Sequence, residues 1–284
     1  MNSKYEKLIA LLFVLLFFLI PSEKLFAWGE TGHRIINRKA VDYFPPEMAA
    51  FKAWRDYLGE HASDPDIRRR TDKSEAPRHF IDIDYYKEFL LGKMIENEDS
   101  LISIYGLKTV TKVGLLPWAT LDTFNNLIKA FKDRDGDKAM SLASDLGHYV
   151  ADGHQPMHTV VNYNGQLTNQ KGVHVRYESE MINRYQDELE NSFGDCHISQ
   201  VKDPLKFIFG YISSSNSVCD VLFDADALAT KEAGSITSDE YYRLMWFRTK
   251  YITEVQFNKA AQDIAALIYT AWVDAGRPDF SEFK

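Results

Sequence analysis

Two histidine–carboxylate pairs at helical spacing constrain this chain more than any other feature. His148 and Asp152 stand four residues apart, and so do His174 and Glu178. On a helix that spacing puts both side chains on one face, a turn apart. An imidazole and a carboxylate so placed can grip one metal ion, and Asp152, with two oxygens, can bridge two. One such pair is ordinary on a solvated helix face. Two pairs, on helices able to pack together, point to a multinuclear site of inward-facing side chains, as helix bundles build them. Imidazole with carboxylate suits zinc best among the common metals.

The hydrophobic periodicity agrees with a mostly helical chain. Thr31 to Tyr43 reads as a helix, with Ile35, Ile36, Ala40 and Val41 at helical spacing, stopped before Pro45-Pro46. Residues 117–151 read as two helices separated by a turn at Asp133 to Asp137. His174 to Leu189, Leu205 to Phe223 and Ser238 to Ala275 read as helical, whereas the proline-marked stretch Ala62 to Pro77 reads as a loop. There is no internal repeat and no Pro/Gly/Ser linker. With 45% hydrophobic and 26% charged residues, the chain can bury a sizeable core. The expectation is one all-α, multi-helix domain over residues 28–284.

Residues 1–27 have the layout of a secretory signal peptide. Lys4 and Lys7 precede an apolar run from Leu8 to Ile20, Pro21 breaks it, and Leu25-Phe26-Ala27 ends in a small residue. The run is shorter than the roughly 20 apolar residues of a membrane span. Cleavage is expected after Ala27, giving a secreted or periplasmic protein; an uncleaved anchor is the alternative. Cleavage would make Trp28 the first residue, with an amine and a carbonyl able to close a chelate ring on a metal. The removed part holds three lysines and two glutamates, so the mature chain is one unit more acidic than the −8 of the whole. Such a chain lacks the basic surface of a duplex-DNA binder. Cys196 and Cys219 lack zinc-finger spacing; in an exported protein they either form one disulfide or stay as thiols.

Further candidate ligands surround the two pairs. Pro156 ends the helix that carries His148 and Asp152, which frees His158 to turn back toward them. His33 follows Trp28 by five residues, and His79 precedes Asp82 and Asp84. Upstream lie Asp64, Asp66 and Arg69. Together these residues resemble the zinc-dependent phospholipase C and single-strand-specific nuclease superfamily. The resemblance runs from Trp28 to Ala271-Trp272 and is densest from His148 to Glu178.

That resemblance implies an all-α fold around three zinc ions. The first would take Asp66, His79, His148 and Asp152; the second His158, His174 and Glu178; the third the Trp28 amine and carbonyl, His33 and the bridging Asp152. Asp64 remains open in place of Asp66. It also implies phosphodiester hydrolysis by zinc-activated water, with Asp66 at the catalytic metal. Asp82 is the candidate general base, and Arg69 a phosphate clamp or else a surface charge in Arg68-Arg69-Arg70. Phe80, Tyr149 and Tyr177 stand beside ligands and are candidates to line the substrate pocket, although rings at helical spacing more often serve the core. His61 and His197 read as surface residues, and His154 as a support or cap rather than a ligand.

The substrate is phospholipid or single-stranded nucleic acid. Glu178 and the short His158 to His174 interval lean to phospholipase C, while the Trp28–His33 and Asp66–Arg69 spacings lean to the nuclease. Phospholipase C stands slightly ahead. A non-catalytic exported zinc-binding protein is the reading from another class. The chain is expected to act as a monomer, without an obligate protein partner.

Overall fold

Residues 28–283 are described by a computed structural model, and among them there are helices but no strand. The expected signal peptide lies outside the described residues. In chain order the helices are α1 (Gly29–Asp42), α2 (Arg55–Glu60), α3 (Asp64–Arg68), α4 (Lys87–Leu90), α5 (Glu98–Tyr105), α6 (Leu107–Val113), α7 (Leu116–Asp133), α8 (Gly136–Gly153), α9 (173–184), α10 (Gln186–Glu190), α11 (Pro204–Asn216), α12 (Cys219–Ala233) and α13 (Asp239–Asp274). No helix among the described residues is long and apolar enough to cross a membrane.

The longest helix, α13, is the spine. Ser238 caps it by accepting the Tyr241 backbone N–H at 3.2 Å. Its second half buries Phe257, Ile264, Leu267 and Ile268. It packs against α1, α7, α8 and α12. The α7–α8 hairpin turns where the sequence places a turn: Arg134 adopts a left-handed φ of 59°, and Asp135 caps α8 by accepting the Lys138 N–H at 3.1 Å. Along α8, Ala139, Ala143, Leu146 and Val150 face the core at helical spacing. Its last turns are buried all round, so His148 and Asp152 lie inside the protein.

Three stretches differ from the sequence reading. The expected loop 62–77 contains α3 and the start of a 3-10 turn, Ala76–His79. Pro65 and Pro77 stand in the first turns of these elements, where a missing N–H costs nothing, so both prolines initiate structure. The expected helix 205–223 is divided at Ser217 and Val218 into α11 and α12. Helix α9 contains a π turn, Arg176–Met181, flanked by Val173–Val175 and Ile182–Arg184. Both cysteines are free thiols, so the disulfide considered from sequence is not formed. The buried Cys219 thiol instead donates to the Pro156 carbonyl at 3.2 Å.

Gly147 sets the approach of α1 to α8. A Cβ there would lie 1.8 Å from Asn37 Oδ1. Only a glycine lets Asn37 sit against α8, and the contact stacks His33 on His148 at 4.1 Å between ring centroids. Gly147→Ala should therefore destabilise the fold by about 1–3 kcal/mol through overpacking. Gly210→Ala, in α11 with open space at its Cβ, should gain up to about 1 kcal/mol from helix propensity. Urea denaturation of the two variants checks the opposite signs.

Candidate metal centre

Six elements converge on one buried cluster. α1 contributes His33, α3 Asp66, the 3-10 turn His79, and α8 His148 and Asp152. Beyond Pro156 comes His158, and α9 brings His174 and Glu178. Among the described residues, three groups hold ligand atoms within 4.8 Å of one another: His33 with Asp66 and His148, His79 with His148 and Asp152, and His158 with His174 and Glu178. These buried groups could hold metal ions. The third group coincides with one expected ligand set. The second falls within the expected first set, and only the group that joins His33 to Asp66 and His148 cuts across the expected sets.

Backbone contacts orient the rings. His148 Nδ1 donates to the Ala62 carbonyl and His158 Nδ1 to the His79 carbonyl, each at 2.7 Å. That tautomer leaves each Nε2 with a lone pair. His148 Nε2 points at His79 Nδ1, 2.9 Å away, and His158 Nε2 at His174 Nε2, 3.1 Å away. Facing lone pairs repel unless a proton or a cation stands between them. Both ring nitrogens of His33, both oxygens of Asp66, Oδ1 of Asp152 and Oε1 of Glu178 are buried without a hydrogen-bond partner. Orphaned buried polar atoms are costly, and a metal ion satisfies this donor set.

Asp152 stands at the centre. Its Oδ2 lies 3.0 Å from His79 Nδ1 and 3.2 Å from His148 Nε2, and its Oδ1 lies 3.4 Å from His33 Nε2. Burial works against its charge, but His148 and His158 hold its carboxyl well below the usual range. Burial lowers the His33 pKa, and so does His148, which keeps that ring neutral and able to ligate. Glu178 Oε2 lies 2.7 Å from His174 Nε2.

The two aspartates of α3 are separated by burial. Asp66 is 1% exposed and belongs to the cluster. Asp64 faces outward, 2.8 Å from His61 Nδ1. Trp28 is fully buried, its indole N–H donates to the Ala151 carbonyl at 2.8 Å, and its own carbonyl accepts the Gly32 N–H at 3.1 Å.

A cleft of about 390 Å3 opens onto the cluster, lined by Arg69, His79, Phe80, Asp82, Lys112, Met157, His158, Tyr163 and His174. Arg69 Nη2 lies 3.5 Å from Asp66 Oδ1. Burial, and then the charge of Asp84, push the Asp82 carboxyl up to about 7. Phe80 is in the cleft as expected, but Tyr149 and Tyr177 are not. Both are buried behind the ligands. The Tyr149 hydroxyl donates to Glu75, and the Tyr177 hydroxyl meets Thr253 Oγ1 at 3.0 Å. His154 is tied to Gln256 and Asp263, which fits a supporting role, and His197 is exposed.

Four residues of the site escape the sequence reading. Glu75 lies behind His79, with Oε1 3.6 Å from Nε2. Burial opposes its charge, yet His79 and Tyr149 hold its carboxyl down to about 2. Gln155 donates to Glu178 Oε2 at 3.1 Å and fixes that carboxylate. Glu75 precedes His79 by four residues, the same spacing that marks the two ligand pairs. Lys112 and Tyr163, both on the cleft wall, carry no such signal. The sequence matches no family model and no curated protein.

Two outcomes follow from this geometry. Burial lowers the His79 pKa, but Asp152 and Glu75 outweigh it and raise it to about 9. At pH 7.5 the metal-free ring therefore carries a proton that a metal must displace. Uptake of a divalent metal ion by chelator-treated protein should release protons and tighten as pH rises toward 9; calorimetry in buffers of different ionisation enthalpy measures this. Glu75→Gln weakens the acceptor behind His79 and should lower metal affinity about 10-fold or more, read by competition with a chelating dye.

Proposed function

We propose that this chain is an exported, zinc-dependent phosphoric-diester hydrolase resembling the phospholipase C and single-strand-specific nuclease superfamily, with phospholipid as its first substrate class. One observation carries the reading: a buried cluster of imidazoles and carboxylates, several atoms of it without hydrogen-bond partners, meets through His79, His158 and His174 a cleft that also holds Arg69 and Lys112. A metal cluster under a cationic cleft matches the needs of phosphodiester cleavage, which must neutralise phosphate oxygens.

In this reading three zinc ions are held by Asp66, His79, His148, Asp152, His158, His174, Glu178, His33 and the mature N-terminus at Trp28. Bound zinc supplies Lewis acidity toward phosphate oxygens and brings the pKa of water toward ~7. The chain's own residues do the rest. Arg69 offers a planar fork for phosphate oxygens. Lys112 adds a second cation. Asp82, pushed up to about 7, is suited to take a proton from attacking water near neutral pH. Phe80 and Met157 give the cleft an apolar wall that limits water. Gln155 and Glu75 hold the ligands in register.

A nuclease is the second reading. Phe80 and Tyr163, both in the cleft, favour it because a base can stack on either ring. A non-catalytic zinc-binding protein is the third, and it gives Asp82 no task.

Purified mature protein should contain about three zinc ions and hydrolyse a chromogenic phosphodiester until chelator is added. Asp82→Asn should lower kcat about 100-fold at unchanged zinc content. Fewer than two zinc ions would sink the multinuclear assignment. Full occupancy without turnover on any diester would favour the binding protein. Activity on single-stranded DNA but not phosphatidylcholine would replace the phospholipase reading by the nuclease. N-terminal sequencing that does not begin at Trp28 would remove the third metal site.

A further inference from the structure

Arg68, the first of the basic run Arg68-Arg69-Arg70, does not line the cleft that Arg69 lines. Its half-buried guanidinium forks onto Asp145 of α8 instead: Nη1 donates to Oδ1 at 3.0 Å and Nη2 to Oδ2 at 2.9 Å. Two parallel bonds of this kind fix direction as well as distance. Arg68 Nε lies 3.5 Å from Glu75 Oε2, and the other oxygen of Glu75 lies 3.6 Å from His79 Nε2. One side chain thus joins three elements that carry candidate ligands: α3 with Asp66, α8 with His148 and Asp152, and, through Glu75, the 3-10 turn with His79.

Helix α3 needs such a tether. It has five residues, Ser63 gives it no side-chain cap, and Pro65 in its first turn has no N–H. So short a helix has little stability of its own. Asp64 turns to His61, and Ile67 is 52% exposed. The start of the helix is held through the Ala62 carbonyl, which accepts from His148 Nδ1, and its end through Arg68. Asp66 lies between these two points, with both oxygens buried and without a hydrogen-bond partner. On α8, Asp145, His148 and Asp152 follow at i, i+3 and i+7, so the anchor and two candidate ligands share one face. The guanidinium also sorts the acids. Asp145 and Glu75 are neutralised by Arg68, whereas Asp66 and Asp152 belong to the ligand groups.

We propose that Arg68 is a positioning residue for two of the three ligand groups, those built from His33, Asp66, His79, His148 and Asp152, and has no such role for His158, His174 and Glu178. The latter group stands on α9 and on the turn that begins at Pro156, away from the contacts of Arg68. The guanidinium sets how closely α3 and the His79 turn approach α8, so it governs metal affinity there without ligating. Lysine does not replace it, because an ammonium is a point charge and lacks the planar fork that meets both oxygens of Asp145. The proposal rests on the functional reading only in taking the buried cluster to bind metal.

Titration of chelator-treated mature protein with zinc alone, in competition with chelating dyes, tests it. His174→Ala first identifies the bound ion that belongs to the third group. Arg68→Lys should weaken the remaining sites about tenfold or more and leave the ion lost in His174→Ala at its original affinity. Asp145→Asn should do the same, and the Arg68→Lys/Asp145→Asn pair should lose no more than either alone, as residues acting through one contact do. Lys73→Gln removes a charge from the exposed connection between α3 and the 3-10 turn and should change nothing. The melting temperature of the metal-free protein is followed throughout, because a merely structural role would lower it and weaken all sites alike. Unchanged affinity in Arg68→Lys, uniform weakening of every site, additive losses in the pair, or an equal loss from Lys73→Gln would overturn the proposal. Protein that takes up no divalent ion would overturn both the proposal and the hydrolase reading. Selective weakening without diester turnover would support the proposal and refute the hydrolase reading alone.

Discussion

Everything in this fold is arranged around a carboxylate in the wrong place. Asp152 is fully buried, and an isolated charge taken out of water is among the costliest groups a protein can hold. Four histidines surround it, and Asp66 and Glu178 add two more buried acids. The imidazoles offset part of the penalty through hydrogen bonds, but several nitrogens and oxygens keep no partner. Multivalent cations satisfy such a set directly, each neutralising carboxylates and accepting the lone pairs of the rings at once. Because α1, α3, α8, the 3-10 turn and α9 all deliver ligands, occupancy would cross-link elements far apart in sequence. Metal binding and folding are then one equilibrium.

The rest of the protein is built to hold those elements still. Helix α9 is fastened by a buried network in which Arg176 Nη2 contacts Asp226 Oδ1 of α12 at 2.8 Å and Arg176 Nε donates to the Tyr241 hydroxyl of α13 at 3.0 Å. Gln170 joins the same aspartate at 2.9 Å, tying down the loop before α9. A buried ion pair contributes little net stability against an apolar replacement, but losing one partner is severe. Its value here is positional: it fixes the π turn that carries Glu178 one turn from His174. Sites held on braced helices keep their geometry better than sites on loops.

Most of this was legible where the signal is local and periodic. α1, the α7–α8 hairpin and α13 follow from apolar spacing and from turn residues at 133–137. The ligand pairs follow from a fixed four-residue interval. What escaped depends on contacts distant in sequence. Asp66 and Asp64 offer the same chemistry two residues apart, and only the packing of α3 turns one inward and leaves the other with His61. Tyr149 and Tyr177 neighbour ligands in sequence but point away from the cleft, since helix neighbours i and i+1 do not share a face. Gly147 looked unremarkable until α1 crossed it. Pro65 and Pro77 read as loop markers in the sequence, yet proline starts a helix as well as stopping one, and both stand in first turns.

The cleft divides its work by chemistry, and that division bears on the substrate. On the proposed reading, the ligand atoms, Arg69 and Lys112 serve any phosphodiester, and they say little about what the phosphate is attached to. Phe80, Met157 and Tyr163 on the cleft wall are where a lipid and a nucleotide would part company. A nucleotide brings a polar sugar and a base that asks for ring stacking and hydrogen-bond partners. A lipid brings acyl chains that remain in their bilayer, so its enzyme must come to the surface with apolar side chains foremost. Phe80 and Tyr163 in the cleft keep stacking available. On the proposed reading, discrimination rests on side chains outside the candidate metal cluster, and the same ligand set is compatible with either substrate.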